Sequence, residues 1–118
     1  MAQLDRTEIL QEEFLQERAV TLGKAGERLE LAIDALLVLD AEIDCKIAHI
    51  SQLSVDKLAQ AQVEINALIE ARNQAYEYAL LRRYYLIVTR EALGLRCHTK
   101  VDEFFCIGQR RRPLERID

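Results

Sequence analysis

Residues 54–93 read SVDKLAQAQVEINALIEARNQAYEYALLRRYYLIVTREAL and contain neither glycine nor proline, so nothing in them interrupts a helix. Leu58, Ala61, Ile65, Leu68, Ala75 and Ala79 recur at steps of three, four or seven and lay an apolar stripe along one side. Ser54 is placed to cap the start through its hydroxyl, and Gly94 is placed to end the helix. At 1.5 Å per residue such a helix spans on the order of 60 Å, which calls for a long partner. Towards its C-terminal half the stripe widens through Ala79, Leu80, Leu81, Tyr84, Tyr85, Leu86, Ile87 and Val88 until nearly every side is apolar. One antiparallel neighbour cannot cover that width.

The neighbour lies just upstream. Leu29, Leu36, Ile43 and Ile50 are spaced by seven, with Ile33, Leu37 and Ile47 filling out the same face. The short polar turn His49–Ser54 then folds the two helices into an αα-hairpin. Further upstream, Asp5 and Glu8 have capping-box spacing, so a first helix is expected to start near Arg6 and to use Ile9, Leu10, Phe14, Ala19 and Val20. Gly23 and Gly26 either break this helix or sit inside a continuous one. A helical glycine costs about 1 kcal/mol against alanine, so two of them three residues apart predict a close approach, with room for Tyr76 or Tyr84. Folding near residue 52 is expected to set residues 10–14 beside residues 92–95.

Composition bounds the rest. One domain is the natural reading of 118 residues, 50% of them hydrophobic and 31% charged, with one proline and four glycines. Residues 1–70 carry 14 acidic and 6 basic side chains, whereas residues 71–118 carry 6 and 10, within a net charge of −4. The halves are electrostatically complementary, which orients either a hairpin or two antiparallel copies. No domain-wide basic excess exists to release counterions from nucleic acid. The start MAQLDRTE has neither a basic n-region nor an apolar h-region, and no apolar run approaches a membrane span, so a cytoplasmic location without membrane attachment is expected. Cys45, Cys97 and Cys106 read as free thiols there.

Past Gly94, Thr99 and Asp102 suggest a capped short helix over about 100–105, with Val101, Phe104, Phe105 and Ile107 folding back as a lid. Residues 109–118 read as a loose basic tail.

The candidate chemistries are sparse. Cys45 and His49 have the i,i+4 spacing of metal ligands, and Cys97 with His98 could complete a set. Within one chain the hairpin puts the two pairs at opposite ends and only an antiparallel dimer could bring them together, so no metal and no cofactor is assigned. The Glu-x-x-His pairs of di-iron bundles are missing, because Lys46 and Leu95 stand three before the two histidines. There is no phosphate loop and no nucleophile elbow. Asp40, Glu42 and Asp44 read as a solvated acidic face. Two basic clusters remain, Arg82 with Arg83 before Tyr84 and Tyr85, and Arg110 to Arg112 before Pro113. Such arginines bind phosphates or stack on bases, or they cover their own apolar neighbours and pair with acids.

The segments LGKAGERLE and VTREALGLRCHTKVDEFFCI resemble a family of small bacterial all-helical proteins with no assigned activity. Its pattern falls on Leu22, Gly23, Ala25 and Gly26, then on Arg90, Glu91, Gly94, Leu95, Arg96 and His98, with Phe105 and Ile107 beyond. Thr89 replaces the family's glutamine, and Cys106-Ile107-Gly108 replaces its Gly-Ile-Pro turn. The resemblance implies a helical fold and no chemistry, but it draws attention to Arg90, Glu91, Arg96 and His98 as a polar cluster at the end of the bundle.

The sequence therefore predicts an all-α protein, a long antiparallel hairpin or a three-helix up-down arrangement that pairs into a four-helix-type bundle as a homodimer. Leu81, Tyr84, Tyr85, Ile87 and Val88 are the expected dimer surface. The function expected is that of an oligomeric interaction or scaffold module rather than an enzyme. The alternatives are an anion- or nucleotide-binding protein using Arg90, Arg96 and His98, and nucleic-acid contact through the basic tail.

Overall fold

A computed structural model describes residues 5–115. Helix α1 runs Arg6–His49 and helix α2 runs Val55–Ala92, joined by a single 3-10 turn at Ile50–Gln52. A short helix, α3, spans Thr99–Phe104, and no strand occurs among the described residues. The two long helices pack against each other as an antiparallel hairpin. The molecule measures 80 × 25 × 18 Å, with a radius of gyration of 22.0 Å. A compact chain of this length has a radius of about 13.5 Å, so this one is a rod.

The helix ends follow from local chemistry. Asp5 caps α1: its carboxylate accepts from the Glu8 N–H at 2.8 Å while Glu8 reaches back to the Asp5 N–H at 3.4 Å. Ser54 occupies the cap position of α2, but its hydroxyl makes no capping bond, and its carbonyl accepts from the N–H groups of Lys57 and Leu58 instead. At the other end Gly94 has φ +90°. The Leu95 N–H bonds the Arg90 carbonyl and the Gly94 N–H bonds the Glu91 carbonyl, the paired pattern that a left-handed glycine permits. Helix α3 is capped at His98 without a side-chain bond, so Thr99 is its first residue rather than its cap.

Gly23 and Gly26 do not break α1, which is one helix of 44 residues. The three-helix alternative is therefore replaced by a simple hairpin. Nor do the glycines admit a close neighbour: a Cβ built on either meets nothing within 4 Å. They line an open groove towards Leu86, Val101, Phe104 and Phe105, not a socket for Tyr76 or Tyr84.

The core forms two clusters along the rod. Near the connection, Ile43, Ile65 and Ile69 are buried, backed by Ile47, Ile50, Leu68 and Leu114. Farther along, Leu29, Ala32, Leu36, Ala79 and Leu86 are closed over by Val101 and Ile107 from the C-terminal segment. Phe105 packs at the edge of this lid, while Phe104 points away and is 75% exposed. Leu37, expected on the buried face, lies about 100° round the helix from Leu36 and faces solvent.

Helix α1 is the longer by six residues, 44 against 38. Arg18 donates to the Leu93 carbonyl at the end of α2. Every residue from Asp5 to Glu17 is exposed, so residues 10–14 project past the end of α2 rather than packing beside residues 92–95.

Candidate functional site

The polar cluster at the end of α2 is a chain of hydrogen bonds through His98. Arg90 Nε donates to His98 Nδ1 at 3.2 Å, and its Nη2 donates to the Cys97 carbonyl at 2.9 Å. Because Nδ1 accepts, the imidazole proton sits on Nε2, which donates to Glu91 Oε1 at 3.1 Å. Arg90, Glu91 and His98 thus bind one another across the Gly94 turn and fix the direction in which the chain leaves α2. Arg96 is exposed and outside this chain of bonds. The Thr99 hydroxyl, bonded to the Cys97 sulfur at 3.4 Å, lowers the pKa of this exposed thiol, with smaller help from the Thr99 backbone and Arg90. The arrangement ties Cys97 and His98 to the last turn of α2.

The histidine near the other end is also engaged, since His49 Nδ1 lies 2.8 Å from the Cys45 carbonyl. Among the described residues no three His, Cys, Asp or Glu side chains gather as a metal set would require.

The expected dimer surface is more open. Leu81, Tyr84, Tyr85 and Val88 are 45%, 61%, 47% and 42% exposed. Ile87 is not part of this face: it is half-buried against the hairpin's own core. Tyr78, 48% exposed, takes its place. Tyr78, Leu81, Tyr85 and Val88 follow at steps of three, four and three, a single stripe on the outer side of α2.

The largest departure from expectation is the tail. Residues 109–115 are a strap that returns along the hairpin towards the connection. Asn73 grips Arg111 through both backbone groups: Oδ1 accepts from its N–H at 2.9 Å and Nδ2 donates to its carbonyl at 2.9 Å. Asn66 holds Leu114 in the same way, at 2.7 and 3.3 Å. The spacing is matched. Seven residues of helix advance about 10.5 Å, and three residues of extended chain cover about 10 Å.

Charge locks the strap where the two core clusters meet. Arg72 is only 5% exposed. Its Nε donates to Asp40 Oδ1 at 3.0 Å, and its Nη1 donates to the Gln109 carbonyl. Arg111 adds a bond to Asp40 Oδ1 at 3.0 Å and another to Asp44 at 2.9 Å, while Arg110 pairs with Glu77 at 2.8 Å. Burial pushes the Asp40 carboxyl up, but hydrogen bonds from Arg111 and Arg72, with their charges, outweigh it and hold the pKa below 3.8. Two of the three tail arginines are thereby occupied inside the molecule. One signal in the sequence pointed here: Arg72 stands seven residues from both Ile65 and Ala79, a charge set into the apolar stripe.

No family model, no curated protein and no solved structure matches this chain. No helix of the described residues is long and apolar enough to cross a membrane.

Proposed function

We propose that the chain is a homodimeric scaffold module whose self-association surface is the outer stripe of α2, Tyr78, Leu81, Tyr85 and Val88, with Tyr84 at its edge. The observation that carries this reading is area. The chain exposes 9253 Å², whereas a compact monomer of 13.6 kDa exposes about 6,600 Å². An ordinary specific interface takes roughly 800 Å² from each partner, so the surplus is large enough for a dimer.

A second copy is the partner that an isologous interface calls for, because the apolar stripe Tyr78, Leu81, Tyr85 and Val88 can pack against itself across a twofold axis. The strap and α3 already cover another side of the hairpin, which leaves the outer side of α2 for the partner. Paired there, two hairpins make a four-helix arrangement of the usual kind.

Light scattering on a sizing column tests this with the wild-type chain and with Leu81→Asp and Val88→Asp. Wild type is expected at twice the chain mass, independent of salt, and each variant at the single-chain mass with its helix content retained. An unchanged mass in both variants would overturn the assignment of this face.

A further inference from the structure

We infer that the groove between α1 and α2 bounded by Lys24, Arg28 and Arg82 binds the phosphoryl group of a small organic phosphate. Val20, Thr21, Ala25, Tyr85 and Thr89 complete its wall, and it encloses about 440 Å³. Small-molecule sites run from about 300 to 1,000 Å³.

Three observations converge on an anion. First, the wall carries three cations and no carboxylate, in a chain whose net charge is −4 and whose first 70 residues hold only six basic side chains. Lys24 and Arg28 are four apart on one helix, so they face the same way and repel, and Arg82 adds a third positive charge from the opposite helix. Second, these cations are left free of acids. Arg72, Arg83, Arg110 and Arg111 all pair with carboxylates, but among the described residues no ion pair includes Lys24, Arg28 or Arg82.

Third, Arg82 is held in place in advance. Its Nε donates to the Tyr78 hydroxyl at 2.9 Å, and its guanidinium lies 5.1 Å from the centre of the Tyr78 ring and 5.8 Å from that of Tyr85. That leaves both terminal nitrogens as a fork, the geometry that suits two oxygens of a phosphate. Holding the side chain beforehand removes part of the entropy cost of binding. The Thr21 hydroxyl is directed to the Glu17 carbonyl at 2.9 Å, so it stays close to its helix and keeps the groove mouth clear.

The wall has two characters. Lys24, Arg28 and Arg82 supply three positive groups for the three terminal oxygens of a phosphate monoester. Val20 and Ala25 offer an apolar bed for the organic part. An organic phosphate uses both, and inorganic phosphate uses only the first.

Calorimetric titration tests this with ADP and with inorganic phosphate as probes, in moderate salt. ADP is expected to bind once per chain and about tenfold or more tighter than inorganic phosphate. Arg28→Gln, an exposed change, and Arg82→Gln should each weaken ADP about tenfold, which is 1.4 kcal/mol. Arg112→Gln on the strap should leave the affinity within about twofold. Helix content and solution mass are measured on every variant. Absence of saturable ADP binding by a wild-type chain of normal helix content would overturn the site. So would equal losses from Arg28→Gln and Arg112→Gln, which would show unspecific charge attraction. Equal affinity for the two probes would overturn the assignment to an organic phosphate.

Discussion

Near its connection the hairpin seals Ile43, Ile65 and Ile69 to 2% exposure or less, whereas at the open end Ile9, Leu10 and Phe14 of the same helix α1 are half or more exposed. What differs is what lies beside the helix: Asp5 to Glu17 project past the end of α2, while the closed end has both a neighbouring helix and the strap. At the closed end the strap lays Leu114 over the cluster and is tied by two asparagines and a buried arginine. At the open end α1 runs on alone. Two helices can bury only the strip between them, and residues 99–115 add cover along the side where Val101, Ile107 and Leu114 pack. The outer stripe of α2, Tyr78, Leu81, Tyr85 and Val88, has no such cover.

The contrast can be broken most severely in the closed half. Ile43→Ala should cost about 3 kcal/mol, because the fully buried site cannot collapse around the cavity, while Phe14→Ala at the open end should cost under about 0.5 kcal/mol of hairpin stability. Urea denaturation of both variants reads the difference directly. Comparable losses would mean that the two ends are not covered differently.

Removing the carboxylate beneath the strap comes next. Asp40→Ala leaves Arg72 buried and Arg111 with one acid fewer. Breaking a buried pair costs 3–5 kcal/mol, and because Asp40 is a quarter exposed about 2 kcal/mol is expected. The same carboxyl sets the acid response. Its folded pKa is depressed, so its contribution is complete above the unfolded value of about 3.9 and is lost as pH falls through the lower folded value. Amide shifts of Arg111 and Leu114 should therefore hold steady from pH 7 to about 5 and move together below about 4, and Asp40→Ala should remove that step.

Asn73→Ala deletes two hydrogen bonds to the strap backbone and should cost about 1.5 kcal/mol. Amide exchange in residues 109–115 should rise ahead of exchange in the helices. At the small end, Gly26→Ala should stabilise the protein by up to about 1 kcal/mol, since the position is helical and a Cβ meets no atom. Thermal denaturation distinguishes that gain from the loss expected if another segment had approached closely there.

These differences also mark what could be read from sequence. The hairpin was legible because Leu29, Leu36 and Ile43 recur every seven residues and Ile65 and Ala79 answer them. The Asp5–Glu8 box and Gly94 marked helix ends for the same reason, since each acts within one turn of chain. The strap was not legible. Asn66 and Asn73 look like ordinary polar helix positions until residues 48 and 38 further along the chain are brought beside them, and Arg110 to Arg112 look like a free cationic tail until Glu77, Asp40 and Asp44 are found opposite. The cluster of Arg90, Glu91 and His98 is legible as residues, and as either an ion-paired helix end or an anion site; the sequence does not show that His98 bonds both Arg90 and Glu91. Ile87 packs against the hairpin's own core, and in a segment apolar on every side the sequence does not say which side the hairpin itself takes.

The proposal that two copies pair through Tyr78, Leu81, Tyr85 and Val88 rests on the exposure of that stripe. Its most direct test is the mass of the wild-type chain in solution, by sedimentation equilibrium over a wide range of concentration. The account predicts a stable species of twice 13.6 kDa that high salt does not dissociate. A single-chain mass at every concentration would contradict it.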